Sequence, residues 1–234
     1  MLAGAAVADW GNSFSHNPAL MSHTTAVRGG LTYCRPYGLE GLDWVRGCIG
    51  VGLGCWSGGF GLSSMSFAGF RETDIEVGIA AEPMHSLAAG LGVHALAVDF
   101  GGSGADVAAS FDVGLAWHSG IVGFGVAARS VNSPRFENGD GIPVRLVLAG
   151  SVKPAESFLL ALDLCKTGSD EGACLGMEFD FLSQLHLRAG IASQPLLYAA
   201  GVGVDVGPAV VDYTCRFHPQ LKETHVVGLQ AAWR

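Results

Sequence analysis

The sequence predicts an all-β protein, a transmembrane antiparallel β-barrel of about fourteen strands with a short N-terminal plug segment, and three observations carry that prediction. The first is the stretch Asp106 to Ser130. Val107, Ala109, Phe111, Val113, Leu115 and Trp117 alternate there with Ala108, Ser110, Asp112, Gly114, Ala116 and His118, the period-two signature of an extended segment. After a Ser119-Gly120 turn, Val122, Phe124, Val126 and Ala128 alternate with Gly123, Gly125, Ala127 and Arg129. The apolar faces of the two strands therefore coincide in an antiparallel hairpin. The second observation is the chemistry of the other face. It carries Gly, Ala, Ser and isolated charges, not the Lys, Glu, Thr and Gln that keep a soluble sandwich in water. Small and polar residues suit the crowded interior of a closed barrel, which leaves the Leu/Val/Phe face to lipid. The third is composition. Only 15% of the residues are charged and the mean hydropathy is +0.36, against about a quarter charged in ordinary globular chains. Yet Gly, Ser, Asp or Arg breaks every apolar run short of the ~18 residues of a spanning helix.

The chain divides into two units. Residues 1–23 lack a period of two and read as a plug or hatch: an Ala-rich start suited to a short helix, ended by Asn17-Pro18. Residues 24–234 read as the barrel. Its strands fall at 24–34, 44–55, 58–67, 73–82, 86–99, 106–118, 121–131, 143–153, 156–165, 174–182, 184–193, 197–206, 208–217 and 224–233. Each is near the ~9 to 11 residues that a tilted strand needs to cross a bilayer. Serines on both faces of Phe60 to Phe67 fit less well and leave twelve strands open as the count. Odd connections read as long, from Arg35 to Asp43 through to His218 to Glu223, and even ones as tight, such as Ser119-Gly120 and Gly207. That alternation matches long external loops and short periplasmic turns, which puts both termini on the periplasmic side of a bacterial outer membrane. The Ala-rich N-terminus lacks the basic flank of a signal peptide, so this reading requires an export signal outside the sequence.

Aromatics near strand ends suit interfacial girdles: Tyr33, Trp44, Phe67, Trp117, Phe181, Tyr198, Phe217 and Trp233. Parity turns Asp112, Arg129, Arg145, Asp163, Glu178, Arg188, Asp212 and Arg216 inward as a lumen charge network. Asp112 with Arg129, Arg145 with Asp163, and Glu178 with Arg188 are the expected cross-strand bridges. Both signs on neighbouring strands point to a structural network, since an ion-selective pore needs a ring of one sign. Six cysteines fit an oxidising compartment. Cys34 with Cys48, and Cys165 with Cys174, flank loops on the inward face, so symmetric hairpins place each pair opposite and predict two disulfides; Cys55 and Cys215 are expected free.

Enzyme signatures are absent: no Gly-x-Ser-x-Gly elbow, no His-Glu-x-x-His and no phosphate loop. Gly50-Val51-Gly52-Leu53-Gly54 lies within a strand without the helix that a dinucleotide fingerprint requires. The eight histidines show no metal spacing, and no cofactor or metal is expected. A net charge of -8 argues against nucleic acid.

The Ala-rich stretch leading into Asn17-Pro18-Ala19, ahead of a Gly-rich barrel, resembles the FadL superfamily of outer-membrane proteins. In that family such a segment begins an N-terminal hatch inside a fourteen-stranded barrel, which marks Asn17, Pro18 and Ala19 as the plug or gate. The run with Asp212-Tyr213, His218-Pro219-Gln220-Leu221 and Thr224-His225 is similar to the PorV/PorQ branch, associated with type IX secretion. Two functions are implied. PorV-like members bind other outer-membrane or secreted proteins as accessory subunits, whereas FadL-like members pass hydrophobic molecules laterally through the barrel wall. Short loops and no long hatch depart from the transporters, and Arg234 follows Trp233 where a terminal aromatic is expected. The reading favoured is a non-enzymatic, PorV-like structural or partner-binding subunit surrounded by outer-membrane lipid. The alternative is a FadL-like channel for hydrophobic small molecules.

Overall fold

The computed structural model describes residues 15–24, 26–84, 86–101, 104–137 and 139–233. The Ala-rich start of the plug lies outside these residues. The strands are β1 (Val27–Arg35), β2 (Asp43–Leu53), β3 (Trp56–Phe67), β4 (Phe70–Met84), β5 (Leu87–Asp99), β6 (Ala105–Ser119), β7 (Val122–Arg129), β8 (Arg145–Ala155), β9 (Phe158–Thr167), β10 (Asp170–Leu182), β11 (Leu185–Ser193), β12 (Leu196–Val206), β13 (Ala209–Phe217) and β14 (Thr224–Trp233). Each pairs antiparallel with its sequence neighbour, and β1 pairs with β14 from Val27↔Trp233 to Arg35↔His225, closing a fourteen-strand barrel. Closure leaves no strand edge unpaired, the condition for a sheet to sit in lipid.

The side-chain alternation is reversed relative to a water-soluble fold. Along β6, Phe111, Val113 and Leu115 are exposed while Ser110, Asp112 and Ala116 are buried. The same reversal runs around the barrel: Leu31, Ile49, Val77, Leu91, Leu148 and Leu229 all lie on the outer face, about half exposed. Left in water, the exposed half of each of these side chains forgoes roughly 1 kcal/mol of transfer free energy, so the face belongs against hydrocarbon. Trp44 is an exception to the girdle expectation. It shares the inward parity of buried Arg46 and lines the lumen.

The connections depart from the expected alternation at one end. All even connections are tight, but β3–β4, β9–β10 and β11–β12 also close in short turns, leaving extended loops only between β1 and β2, β5 and β6, β7 and β8, and β13 and β14. Ala68 and Gly69 both take positive φ, 48° and 90°, the geometry of a two-residue hairpin turn that matches strand twist.

These turns also explain why neither expected disulfide exists: all six cysteines are free thiols. Between β1 and β2 the chain makes a 3-10 turn, Pro36–Gly38, and re-enters the sheet at once, so Cys34 faces Trp44 and Cys48 faces Gly30. Cys48 therefore stands four positions beyond the partner of Cys34, roughly 13 Å along the strand. The β9–β10 turn centres on Gly168-Ser169, which pairs Cys165 with Gly172 and Cys174 with Asp163. Cys165 and Cys174 are therefore diagonal neighbours and not a directly opposed pair, and their thiols meet in a hydrogen bond without being joined.

Candidate functional site

Asn17 opens the N-terminal 3-10 turn Pro18–His23, which lies inside the barrel against β2 to β6. Its local logic is simple. Pro18 fixes φ at the first helical position, and the Asn17 Oδ1 accepts the backbone N–H of Ala19 at 3.0 Å. Asn17, Ala19, Leu20 and Met21 are all buried, with Leu20 and Ala19 against Ala88 and Ala116 and Met21 against Ala80. The Asn17 Nδ2 donates to the Leu115 carbonyl oxygen at 3.0 Å, tying the turn to the backbone of β6.

Gly90 and Gly114 make that approach feasible. They pair directly across β5 and β6. A Cβ at Gly90 would lie 2.3 Å from the Pro18 carbonyl carbon, and one at Gly114 would lie 2.0 Å from Asn17 Oδ1. Only glycine lets a backbone come this close. On the opposite, lipid-facing side of the same two glycines the barrel wall is hollowed. Ala81, Ala89 and Ala128 replace the usual Leu and Val there, with Trp56, Leu91, Leu115 and Val126 around them, and the apolar hollow measures about 530 Å³. A single layer of strand backbone separates it from the Asn17-Pro18-Ala19 segment.

The lumen beside this segment is crossed by a chain of ion pairs. Arg46 Nη2 donates to Glu76 Oε2 at 2.8 Å, both side chains being more than nine-tenths buried. His94 Nδ1 sits 3.0 Å from Asp74 Oδ1, and its Nε2 lies 3.2 Å from Asp112 Oδ2. Arg129 Nε donates to Asp112 Oδ2 at 2.8 Å. The chain crosses six strands, β2 to β7, and can bridge β3 because that strand offers only Gly61 and Ser63 between Arg46 and Glu76. The serines that fit a strand poorly in the sequence are the gap over which Arg46 reaches. Asp74, Glu76 and His94 bring ligand-capable atoms within 4.8 Å of one another, a cluster that sequence spacing hid because the residues come from two strands. Glu76 is already paired with Arg46, and Asp112 beside the cluster is held by Arg129.

Elsewhere Arg188 Nε donates to Glu178 Oε2 at 2.5 Å and its Nη1 to Asp212, whose other oxygen accepts from Gln230 Nε2. Arg145 and Asp163 do not face each other. Arg145 stands opposite Thr167 and Asp163 opposite Ala149, and the Arg145 Nη2 instead reaches Cys165 Sγ at 3.6 Å. Arg216, near the loop end of β13, lines a second cavity of about 350 Å³ bordered by β1 to β3 and β11 to β14. Tyr37, held at φ 56° in the 3-10 turn Pro36–Gly38, lines that cavity from the loop side. Its N–H donates to Thr224 Oγ1 at 2.8 Å and its ring meets His218 edge-on.

The residues that carried the PorV-like resemblance have local structural roles. His218 Nδ1 accepts the N–H groups of Gln220 and Leu221 to shape its own loop, and the Tyr213 hydroxyl meets His225 Nδ1 at 2.6 Å on the outer face.

No family model matches the chain, and no curated protein is similar to it in sequence. Solved structures do share its fold. The toluene transporter TbuX of Ralstonia pickettii superposes with a TM-score of 0.77 at 12% identity, covering 99% of this chain and 96% of that one. The CymD monoaromatic hydrocarbon channel gives 0.77 at 13% identity, covering 99% and 95%. A FadL homologue of Pseudomonas aeruginosa gives 0.73 at 10% identity, covering 100% and 96%. The first two are named as a transporter and a channel and none as a secretion subunit, which overturns the expectation of a PorV-like assembly subunit. At such identities the likeness is one of fold, the closed antiparallel β-barrel.

Proposed function

We propose that the protein is an outer-membrane channel for hydrophobic small molecules, with Asn17-Pro18-Ala19 as its gate. One observation carries the reading. The apolar hollow on the lipid-facing wall and the buried Asn17-Pro18-Ala19 turn meet back to back at the Gly90-Gly114 pair. A molecule that dissolves in hydrocarbon leaves most easily sideways, because an exit through the wall spares it a return to water. The shared fold with hydrocarbon channels supports the same direction. In this reading the four extended loops face outward, both termini lie in the periplasm, and membrane lipid covers the outer face.

The test is uptake of labelled toluene by Gram-negative cells carrying the barrel in their outer membrane. Uptake faster than in cells without it is expected, and Ala89→Trp, which fills the hollow from the lipid side, should remove the gain. Equal rates with and without the barrel would refute the channel reading.

A further inference from the structure

We propose that Arg216 is an anion-recognition point in the luminal cavity, and that this cavity takes a compact apolar molecule carrying one carboxylate, such as an aromatic monocarboxylate. The inference rests on the channel reading above and adds to it a substrate class distinct from the toluene and monoaromatic hydrocarbon named for two of the structural neighbours.

The argument begins from charge pairing. Arg46, Arg129 and Arg188 each hold a carboxylate: Glu76, Asp112, and Glu178 with Asp212. Arg216 holds none among the described residues, and its Nε is buried without a hydrogen-bond partner. The one carboxylate lining the same cavity, Asp212, is already taken by Arg188 and Gln230. A buried donor on a cation left without an acceptor is costly, so the site favours an arriving anion. Arg28 has a similarly unpartnered Nε, but it lines neither cavity.

The surroundings define the rest of the ligand. The hydroxyls of Thr32, Thr214 and Thr224 line the same cavity as Arg216, and Trp44, Met65 and Leu197 supply apolar wall. A guanidinium fork binds a carboxylate through two parallel hydrogen bonds, while the ring of the ligand has Trp44 and Met65 to pack against. A volume of about 350 Å³ sits at the small end of ligand pockets, which run roughly 300 to 1,000 Å³, and suits one ring better than a long chain.

Benzoate and toluene test this directly, since they match in shape and differ in charge. Calorimetric titration of the full chain in detergent would use wild type, Arg216→Gln and Arg216→Lys, with heat-dependent gel mobility confirming folded barrels. Wild type should bind benzoate more tightly than toluene. Arg216→Gln should weaken benzoate about tenfold or more while leaving toluene within about twofold. Arg216→Lys should recover part of the loss, because lysine keeps the charge without the fork. Equal affinities in wild type, no benzoate binding, or an equal loss of both probes in Arg216→Gln would overturn the proposal. Each of those results leaves toluene uptake by cells as a separate measurement, so failure of the Arg216 site and failure of the channel are told apart.

Discussion

The two sides of the barrel solve the problem of a polar interior differently. On the β2 to β7 side, the Asn17-Pro18-Ala19 turn packs against paired glycines and alanines, and beside it Arg46, Glu76, His94, Asp112 and Arg129 join into one chain of contacts. Across the lumen, β11 to β14 and β1 leave a cavity in which Arg188 is doubly paired and Arg216 is not. The filled side has its inward charges joined in ion pairs; the open side keeps space and, in Arg216, a cation that holds no carboxylate among the described residues. The difference teaches that the same inward pattern of small residues and charges yields either structure or a site. Which it yields depends on whether something packs over the small residues.

The largest expected effect falls on the filled side. Glu76→Ala leaves Arg46 buried without its carboxylate and should cost about 3 to 5 kcal/mol in denaturant unfolding of the detergent-solubilised barrel. Glu178→Ala on the open side should cost only about 1 to 2 kcal/mol, because Arg188 retains Asp212. Equal costs would erase the contrast between the two sides. Gly90→Val comes next. Its Cβ meets the Pro18 backbone, so the turn must leave the wall, with a loss of about 1 to 3 kcal/mol and a rise in ion conductance in planar bilayers. Gly201→Ala on the open side meets chiefly the Thr214 hydroxyl, at 2.6 Å, and should leave conductance unchanged. Asn17→Ala removes both the cap on Ala19 and the bond to Leu115, for about 1 to 2 kcal/mol, measured by the same unfolding. The smallest effect is expected from Cys165→Ser or Cys174→Ser, within about 1 kcal/mol, since a lost disulfide would cost ~2 to 5. A change in gel mobility on reduction would contradict the free thiols.

The candidate site was legible only in part. Asn17-Pro18-Ala19 stood out because it breaks the period of two before the first strand. Gly90 and Gly114 were visible as inward glycines, but nothing in the sequence said that they pair or that the Asn17 turn lies behind them. Arg216 appeared as one of several inward arginines, and its lack of a carboxylate emerges only when Arg188, which lines the same cavity, is seen to hold Asp212.

By itself the sequence determined the alternating strands, a lipid-facing barrel and the sorting of most mid-strand charges to the inside. Alternation with period two is a local property, and the face that is Leu, Val and Phe must meet hydrocarbon whichever strands are neighbours. Only the tertiary structure decided which inward residues meet. Register depends on where each turn closes, and a displacement of the turn centre by one residue moves the partner along the strand by two positions. That is why Cys165 stands opposite Gly172 and not Cys174, why Arg145 stands opposite Thr167 and not Asp163, and why Arg46 finds Glu76 across the intervening β3. The cavity beside Arg216 is decided the same way, by how the chain fills one side of the lumen and leaves the other open.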